Sequence, residues 1–237
     1  MFLTKSIIKN DQKIKKSTFD LRVKFVIMSR YLVFMELSTQ KRPKLLLHVC
    51  CAPCSSHVLE TLFGQYEITA YFYNPNITSK EEYVKRIDEL RRFVSEAPFA
   101  KNVVIENGDY EPELFFSMAR GLEHEPERGK RCYKCYELRL RKTADYAKNN
   151  GYDLFTTTLS ISPHKNAIWL NEIGEKAAAD FDVPYLYSDF KKKNGYARSI
   201  QLSKEYDLYR QDFCGCIYSK SEAEERRKNK EKQISEK

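Results

Sequence analysis

No run of about 18 consecutive apolar residues occurs in the chain, so a membrane-spanning helix is not expected. The most apolar segment, Phe25-Val26-Ile27-Met28 and then Tyr31 to Met35, is interrupted by Ser29 and Arg30. No small-residue cleavage site follows it, so a secretory signal is not expected either. Net charge is absent from most of the chain. Residues 1–44 hold 11 Lys/Arg against 3 Asp/Glu, the whole of the formal +8, which leaves 30 charges of each sign for the rest. A basic groove on the folded part must therefore come from uneven distribution, not from bulk charge. Glycine is missing from Cys50-Cys51-Ala52-Pro53-Cys54-Ser55-Ser56. A phosphate cradle at that turn would need a glycine- or serine-rich loop of free amides, and Pro53 removes one more donor, so nucleotide-dependent chemistry ranks low.

What is present is a globular composition, 42% hydrophobic and 31% charged, in a 237-residue chain that can bury one sizeable core. Residues 1–43 are Lys-rich and read as a loosely ordered extension, with a short amphipathic helix over 21–36. Residues 44–219 alternate strand and helix patterns. Strands are expected at 44–50, 67–73, 102–106, 153–159 and 184–187. Helices are expected at 56–63, from a Thr78 or Ser79 cap to about 97, and at 112–121, 133–149, 163–180 and 195–211. This alternation predicts an α/β domain, a parallel sheet covered by helices on both faces and doubly wound. Residues 220–237 alternate charge signs and read as a charged tail, a frayed helix or disordered.

Seven cysteines fall into three groups: Cys50, Cys51 and Cys54; Cys132 and Cys135; Cys214 and Cys216. The first follows the apolar strand, at the carboxyl end where open α/β sheets place their ligands. Cys132-Tyr-Lys-Cys135 opens a helix, where free amides and the dipole favour thiolates. In Cys214-Gly-Cys216, the glycine lets both sulfurs turn to one point. An odd count in a reducing cytoplasm points to metal binding or redox work rather than disulfides. Soft sulfur donors favour zinc or iron–sulfur clusters. Four close one tetrahedral centre, and three remain for a second site or a reactive thiol. A structural zinc site and inert core thiols are the competing readings of the same residues.

Four stretches, LLLHVCCAPCSS, RCYKCYELRL, TTTLSISPHKN and GYARSIQLSKEYDLYRQDFCGCIYS, together resemble the cobalamin-independent epoxyqueuosine reductases of the QueH family. The resemblance runs in order from residue 44 to about 219. It implies a fold like the adenine nucleotide α-hydrolase domains. It also implies reduction of epoxyqueuosine to queuosine at the tRNA wobble position, with a [4Fe–4S] cluster beside a mononuclear metal, expected to be iron. In other members the position matching Cys54 can be Asp, a ligand of the mononuclear metal; here a thiolate makes that site softer. On this reading Cys51, Cys132, Cys135 and Cys214 hold the cluster, and Cys50, Cys54 and Cys216 hold the second metal. Neighbouring residues of an extended chain point opposite ways, which lets Cys50 and Cys51 face different centres.

Turning an epoxide into an alkene removes one oxygen and needs two electrons and two protons. No side chain supplies the electrons, so an external electron donor is expected. His48, His164 and Tyr133 are the candidates for proton donation or epoxide positioning, with Tyr136 beside them. The tRNA anticodon stem-loop would need cations along its backbone. Arg131, Lys134, Arg139, Arg141 and Lys142 cluster along the CxxC helix, and Lys191, Lys192, Lys193 and Arg198 precede the CGC segment. The rival functions are a structural-zinc nucleic-acid-binding module, a nucleotide-using tRNA thiolase and a dithiol oxidoreductase acting through Cys132 and Cys135.

Overall fold

A computed structural model describes residues 41–235. The extension, including the helix expected over 21–36, lies outside the described residues apart from its last positions, 41–43. Four strands, β1 (Lys44–His48), β2 (Glu67–Phe72), β3 (Val104–Asn107) and β4 (Leu154–Thr157), form one parallel sheet in the order β3-β2-β1-β4. Among the described residues seven α-helices accompany it: α1 (Ala52–Leu62), α2 (Lys80–Glu96), α3 (Pro112–Ala119), α4 (Lys130–Asn149), α5 (Ala167–Phe181), α6 (Gly195–Glu205) and α7 (Ile217–Ser235).

The Leu45-Leu46-Leu47 run explains the double cover. Successive side chains of a strand point to opposite faces. Leu45 and Leu47 join a cluster with Val58 and Leu59 of α1 and Leu90 and Phe93 of α2. Leu46 packs on the other face with Ala144 and Ala147 of α4 and Ala177 of α5. All three leucines are fully buried, each contributing roughly 2 kcal/mol of apolar transfer. Such two-faced burial is why the strand reads as a continuous apolar run and not as an alternating one.

Several boundaries differ from the sequence reading for local reasons. The turn read over residues 50–56 is helical from Ala52 onward: α1 starts there, with Cys51 as its cap and Pro53 in the first turn, where its missing N–H is no loss. Helix α4 starts at Lys130, so both CxxC cysteines lie inside it. The strand expected at 184–187 shrinks to one bridge, Phe155 to Tyr185. Pro184 can only accept there, from the Phe155 N–H, while the Leu186 N–H donates to the Phe155 carbonyl. Helix α2 starts from Ser79, whose hydroxyl accepts the Glu82 N–H at 3.3 Å.

From β1 the chain adds β2 and β3 on one side, then crosses to place β4 on the other. The strand order therefore reverses at β1/β4, and ligands of open α/β sheets bind outside the carboxyl ends of the strands at such a point.

Candidate metal centre

The carboxyl end of β1 carries the first thiol group. Cys50 and Cys51 follow the strand, and Cys54 sits in the first turn of α1. One sulfur from each lies within 4.8 Å of the others, and the Cys50 and Cys51 Sγ atoms are 3.7 Å apart. Two thiolates on a tetrahedral ion with bonds near 2.3 Å stand about 3.8 Å apart. The observed spacing fits a shared metal ion. The Cys51 and Cys54 thiols hydrogen-bond to Cys50 and hold it well below the ordinary thiol range. The same contact pushes Cys51 up to about 12 and Cys54 upward as well.

The second group is assembled from distant segments. Cys132 and Cys135 lie one turn apart on α4. Cys214 and Cys216 flank Gly215, whose φ of +119° no L side chain adopts easily. Arg86, only 2% exposed, fixes this segment from α2. Its Nη1 donates to the Cys214 carbonyl at 3.0 Å and its Nη2 to the Phe213 carbonyl at 3.3 Å, while its Nε donates to Glu82 at 2.6 Å. The four thiols interact electrostatically with one another. Burial pushes Cys132 to about 11 and Cys135 to about 12. Backbone amides already address two of the sulfurs: Arg128 N–H donates to Cys132 Sγ at 3.2 Å and Ser219 N–H to Cys216 Sγ at 3.4 Å. Amide donors of this kind stabilise metal-bound thiolates. Four soft sulfur donors are the ligand set an iron–sulfur cluster takes, whereas among the described residues only Cys50, Cys51 and Cys54 have sulfurs close enough together for one ion.

A cavity of about 630 Å³ joins the two groups. Cys50, Cys54 and Cys214 line it together with Arg86, Arg128, Arg139, Lys165, Arg210 and Arg226, and with the rings of Tyr196 and Phe213. Glu222 and Arg226, from the stretch read as a charged tail, belong to the first turns of α7 and also line it.

The expected proton-handling residues part company. His164 lines the cavity beside Arg128, to which its Nδ1 is hydrogen-bonded; burial and then the Arg128 charge lower its pKa. His48 is fully buried below the cavity. Its Nδ1 meets Thr157 Oγ1 at 2.9 Å, and its Nε2 lies 3.0 Å from the Tyr73 carbonyl and 3.3 Å from Arg139 Nε. Burial and then Arg139 lower it to about 3, so it is a neutral imidazole at neutral pH. Tyr133 turns its hydroxyl to Glu172 at 3.4 Å and packs edge-on against Trp169, outside the cavity lining.

The expected tRNA contacts divide as well. Arg131 is spent internally on the carbonyls of Leu122, Glu123 and Glu125, on Glu222 and on the Tyr218 ring. Arg139 is 1% exposed, and its Nη2 donates to Asn74 Oδ1 at 2.6 Å. Lys134 and Lys192 are exposed, in surface pairs with Glu137 and Asp189. Arg198 makes a two-pronged pair with Glu60.

Sequence reasoning overlooked Lys165, whose Nζ lies 3.5 Å from Cys214 Sγ. Burial would lower its pKa, but Cys214, Tyr136, Cys50 and Cys54 together raise it well above the usual lysine range. Its one sequence signal was adjacency to His164 in the SISPHKN turn. Arg86 gave none beyond the Glu82 four residues before it.

A family model described as epoxyqueuosine reductase QueH matches residues 45–222. The epoxyqueuosine reductase QueH of Streptococcus pyogenes is 47% identical over 180 residues, 75% of this chain and 71% of that protein. The protein of that name from Acinetobacter baylyi is 40% identical over 178 residues, 74% of this chain and 80% of its own. The one from Thermotoga maritima is 34% identical over 184 residues, 76% and 92% of the two chains.

Proposed function

Because the chain belongs to the epoxyqueuosine reductase QueH family and is an oxidoreductase, we propose that it reduces the epoxide of epoxyqueuosine in tRNA to the alkene of queuosine. The reaction consumes two electrons and two protons and releases the oxygen as water. One observation supports this most: three of the seven free thiols, Cys50, Cys54 and Cys214, line an arginine- and lysine-rich cavity at the sheet's switch point. A reducing, cytoplasmic setting suits them.

Held by these thiols, a [4Fe–4S] cluster and a mononuclear iron would supply single electrons and Lewis acidity. The electrons come from an external one-electron donor. The rest falls to the protein's own groups. Tyr196 and Phe213 offer ring faces to a splayed base, and Arg128, Arg210 and Arg226 offer donors to its phosphates. His164 stands at the wall, where a proton must be delivered. His48 acts indirectly, by holding Arg139, and Tyr133 supports the packing of α4 on α5. Lys134, Lys192 and Arg198 are free to exchange their surface carboxylates for the tRNA backbone.

The sequence reading gives the cluster Cys51, Cys132, Cys135 and Cys214, and the second metal Cys50, Cys54 and Cys216. The 3.7 Å approach of Cys50 and Cys51 favours a second partition, in which Cys51 stays with Cys50 and Cys54 and Cys216 joins the cluster. The two differ only by exchanging Cys51 and Cys216. Iron and sulfide analysis of Cys51→Ser separates them: loss of the cluster supports the first, and a retained cluster lacking the extra iron supports the second.

The function is tested by metal analysis after anaerobic purification, followed by an assay on tRNA bearing epoxyqueuosine. About five iron and four sulfide per chain, with queuosine formed, is the expected result. One zinc and no sulfide after attempted cluster reconstitution overturns the mechanism and leaves a structural-zinc nucleic-acid-binding module.

A further inference from the structure

Two cations near the thiols have no carboxylate partner among the described residues. Arg139 is the clearer case. It is 1% exposed, its Nη1 is buried with no hydrogen-bond partner, and its remaining nitrogens donate to Asn74 Oδ1 and His48 Nε2. Lys165 reaches only Cys214 Sγ, at 3.5 Å. The neighbouring buried arginines differ, since Arg86 is paired with Glu82 and Arg131 with Glu222. A buried guanidinium without an anion is strongly unfavourable, so a folded chain that keeps one needs a counter-charge from elsewhere.

The thiols are in the right place to supply it. Arg139 interacts with Cys135, Cys50 and Cys214, and Lys165 with Cys214, Cys50 and Cys54. Each cation therefore spans both thiol groups, Arg139 from α4 and Lys165 from the connection between β4 and α5, and both line the cavity. A metal centre held by several thiolates is net anionic, and every electron it accepts adds a negative charge.

We propose that Arg139 and Lys165 are the built-in counter-ions of the metal–thiolate assembly, positioning residues that stabilise its reduced form. The inference rests on the iron–sulfur reading above and adds to it which side chains set the reduction potential. Asn74 and His48, itself hydrogen-bonded to Thr157, fix the position of the planar Arg139 guanidinium. Fixed charges and hydrogen bonds around the sulfurs are among the factors that tune cluster potentials.

The test is an anaerobic dithionite titration of the reconstituted protein, followed by electron paramagnetic resonance, with iron and sulfide counted in every sample. Arg139→Gln and Lys165→Gln should each keep wild-type iron and sulfide yet shift the midpoint potential to more negative values, with the larger shift in the double variant. The charge-conserving Arg139→Lys and Lys165→Arg should return most of each shift. Should Arg139→Gln fail to assemble a cluster, Lys165→Gln decides the matter alone, because that side chain is only partly buried whereas Arg139 is 1% exposed. A fully loaded Lys165→Gln protein with an unchanged potential overturns the inference and leaves the reductase reading intact. A wild-type protein that assembles no cluster overturns both.

Discussion

The two thiol groups are built in opposite ways. Cys50, Cys51 and Cys54 come from five consecutive positions, set by the end of β1 and the first turn of α1, so their convergence is a local backbone property. Cys132, Cys135, Cys214 and Cys216 come from two segments about 80 residues apart. They meet only because α2 reaches across to hold the second segment. Arg86 supplies two hydrogen bonds to that segment, Asn76 Nδ2 donates to the Cys214 carbonyl at 3.4 Å, and the Thr78 N–H donates to the Gly215 carbonyl at 3.2 Å. A local site survives loss of distant packing, whereas an assembled one inherits the stability of every contact that assembles it.

The sharpest way to break this comparison is Arg86→Ala. It leaves Glu82 with only the Tyr209 hydroxyl and the Cys214 carbonyl with only Asn76, and takes the Arg86 donor from the Phe213 carbonyl, at an expected cost of about 3–5 kcal/mol in urea denaturation. In the metal-free protein, thiol-reagent labelling should speed up at Cys214 and Cys216 and stay unchanged at Cys50 and Cys51. Equal acceleration in both groups refutes the distinction. Next come Cys54→Ser and Cys214→Ser, one from each group. Each should reduce turnover on epoxyqueuosine-bearing tRNA at least about 100-fold, roughly 2.7 kcal/mol of transition-state stabilisation. Wild-type turnover in either variant would mark that group as structural.

Gly215→Ala tests the assembled group through its backbone. The position has φ +119°, and a Cβ there would lie 2.9 Å from Ile77 Cγ1. A loss of about 2 kcal/mol in thermal unfolding is expected, with reduced cluster content. The matching change in the local group, Pro53→Ala, leaves helical geometry intact and should cost less than about 1 kcal/mol, with metal content unchanged.

Arg198→Gln lies outside both groups and sets the baseline, below about 1 kcal/mol. Arg198, then His57, holds the Glu60 carboxyl below its ordinary range, against partial burial. A depressed carboxylate contributes stability above the unfolded pKa, and that contribution is lost as pH falls through the folded one. The small gap in melting temperature between wild type and variant should therefore be open at pH 7 and close as the pH falls below the ordinary Glu value of 4.5. A gap that widens in acid contradicts the assignment.

The legibility of the molecule follows the same division. The fold class could be read because strand and helix periods are local: the Leu45-Leu46-Leu47 run, the Ser79 cap and the amphipathic α4 each report on residues within a few turns. The α1 start was missed because Pro53 was read as a turn residue when a first helical turn tolerates it equally well. The strand at 184–187 was overestimated because a Pro-Tyr-Leu-Tyr stretch looks the same whether it forms a ladder or a single bridge. The thiols were found by their density. Of the cations among them, Lys165 was not singled out and Arg139 was read as a tRNA contact, because a lysine or arginine in the sequence gives no sign of whether a carboxylate will meet it.

By itself, the sequence determined the alternating architecture, the thiol-rich chemistry and, through four spaced motifs, the family, since each is carried by residues close together along the chain. Tertiary structure alone decided which sulfurs meet, that Arg131 and Arg139 turn inward while Lys134 and Lys192 stay at the surface, and that Lys165 stands between the two groups. Those outcomes depend on how segments far apart in sequence cross the sheet, and on the cost of burying a charge where only sulfur can answer it.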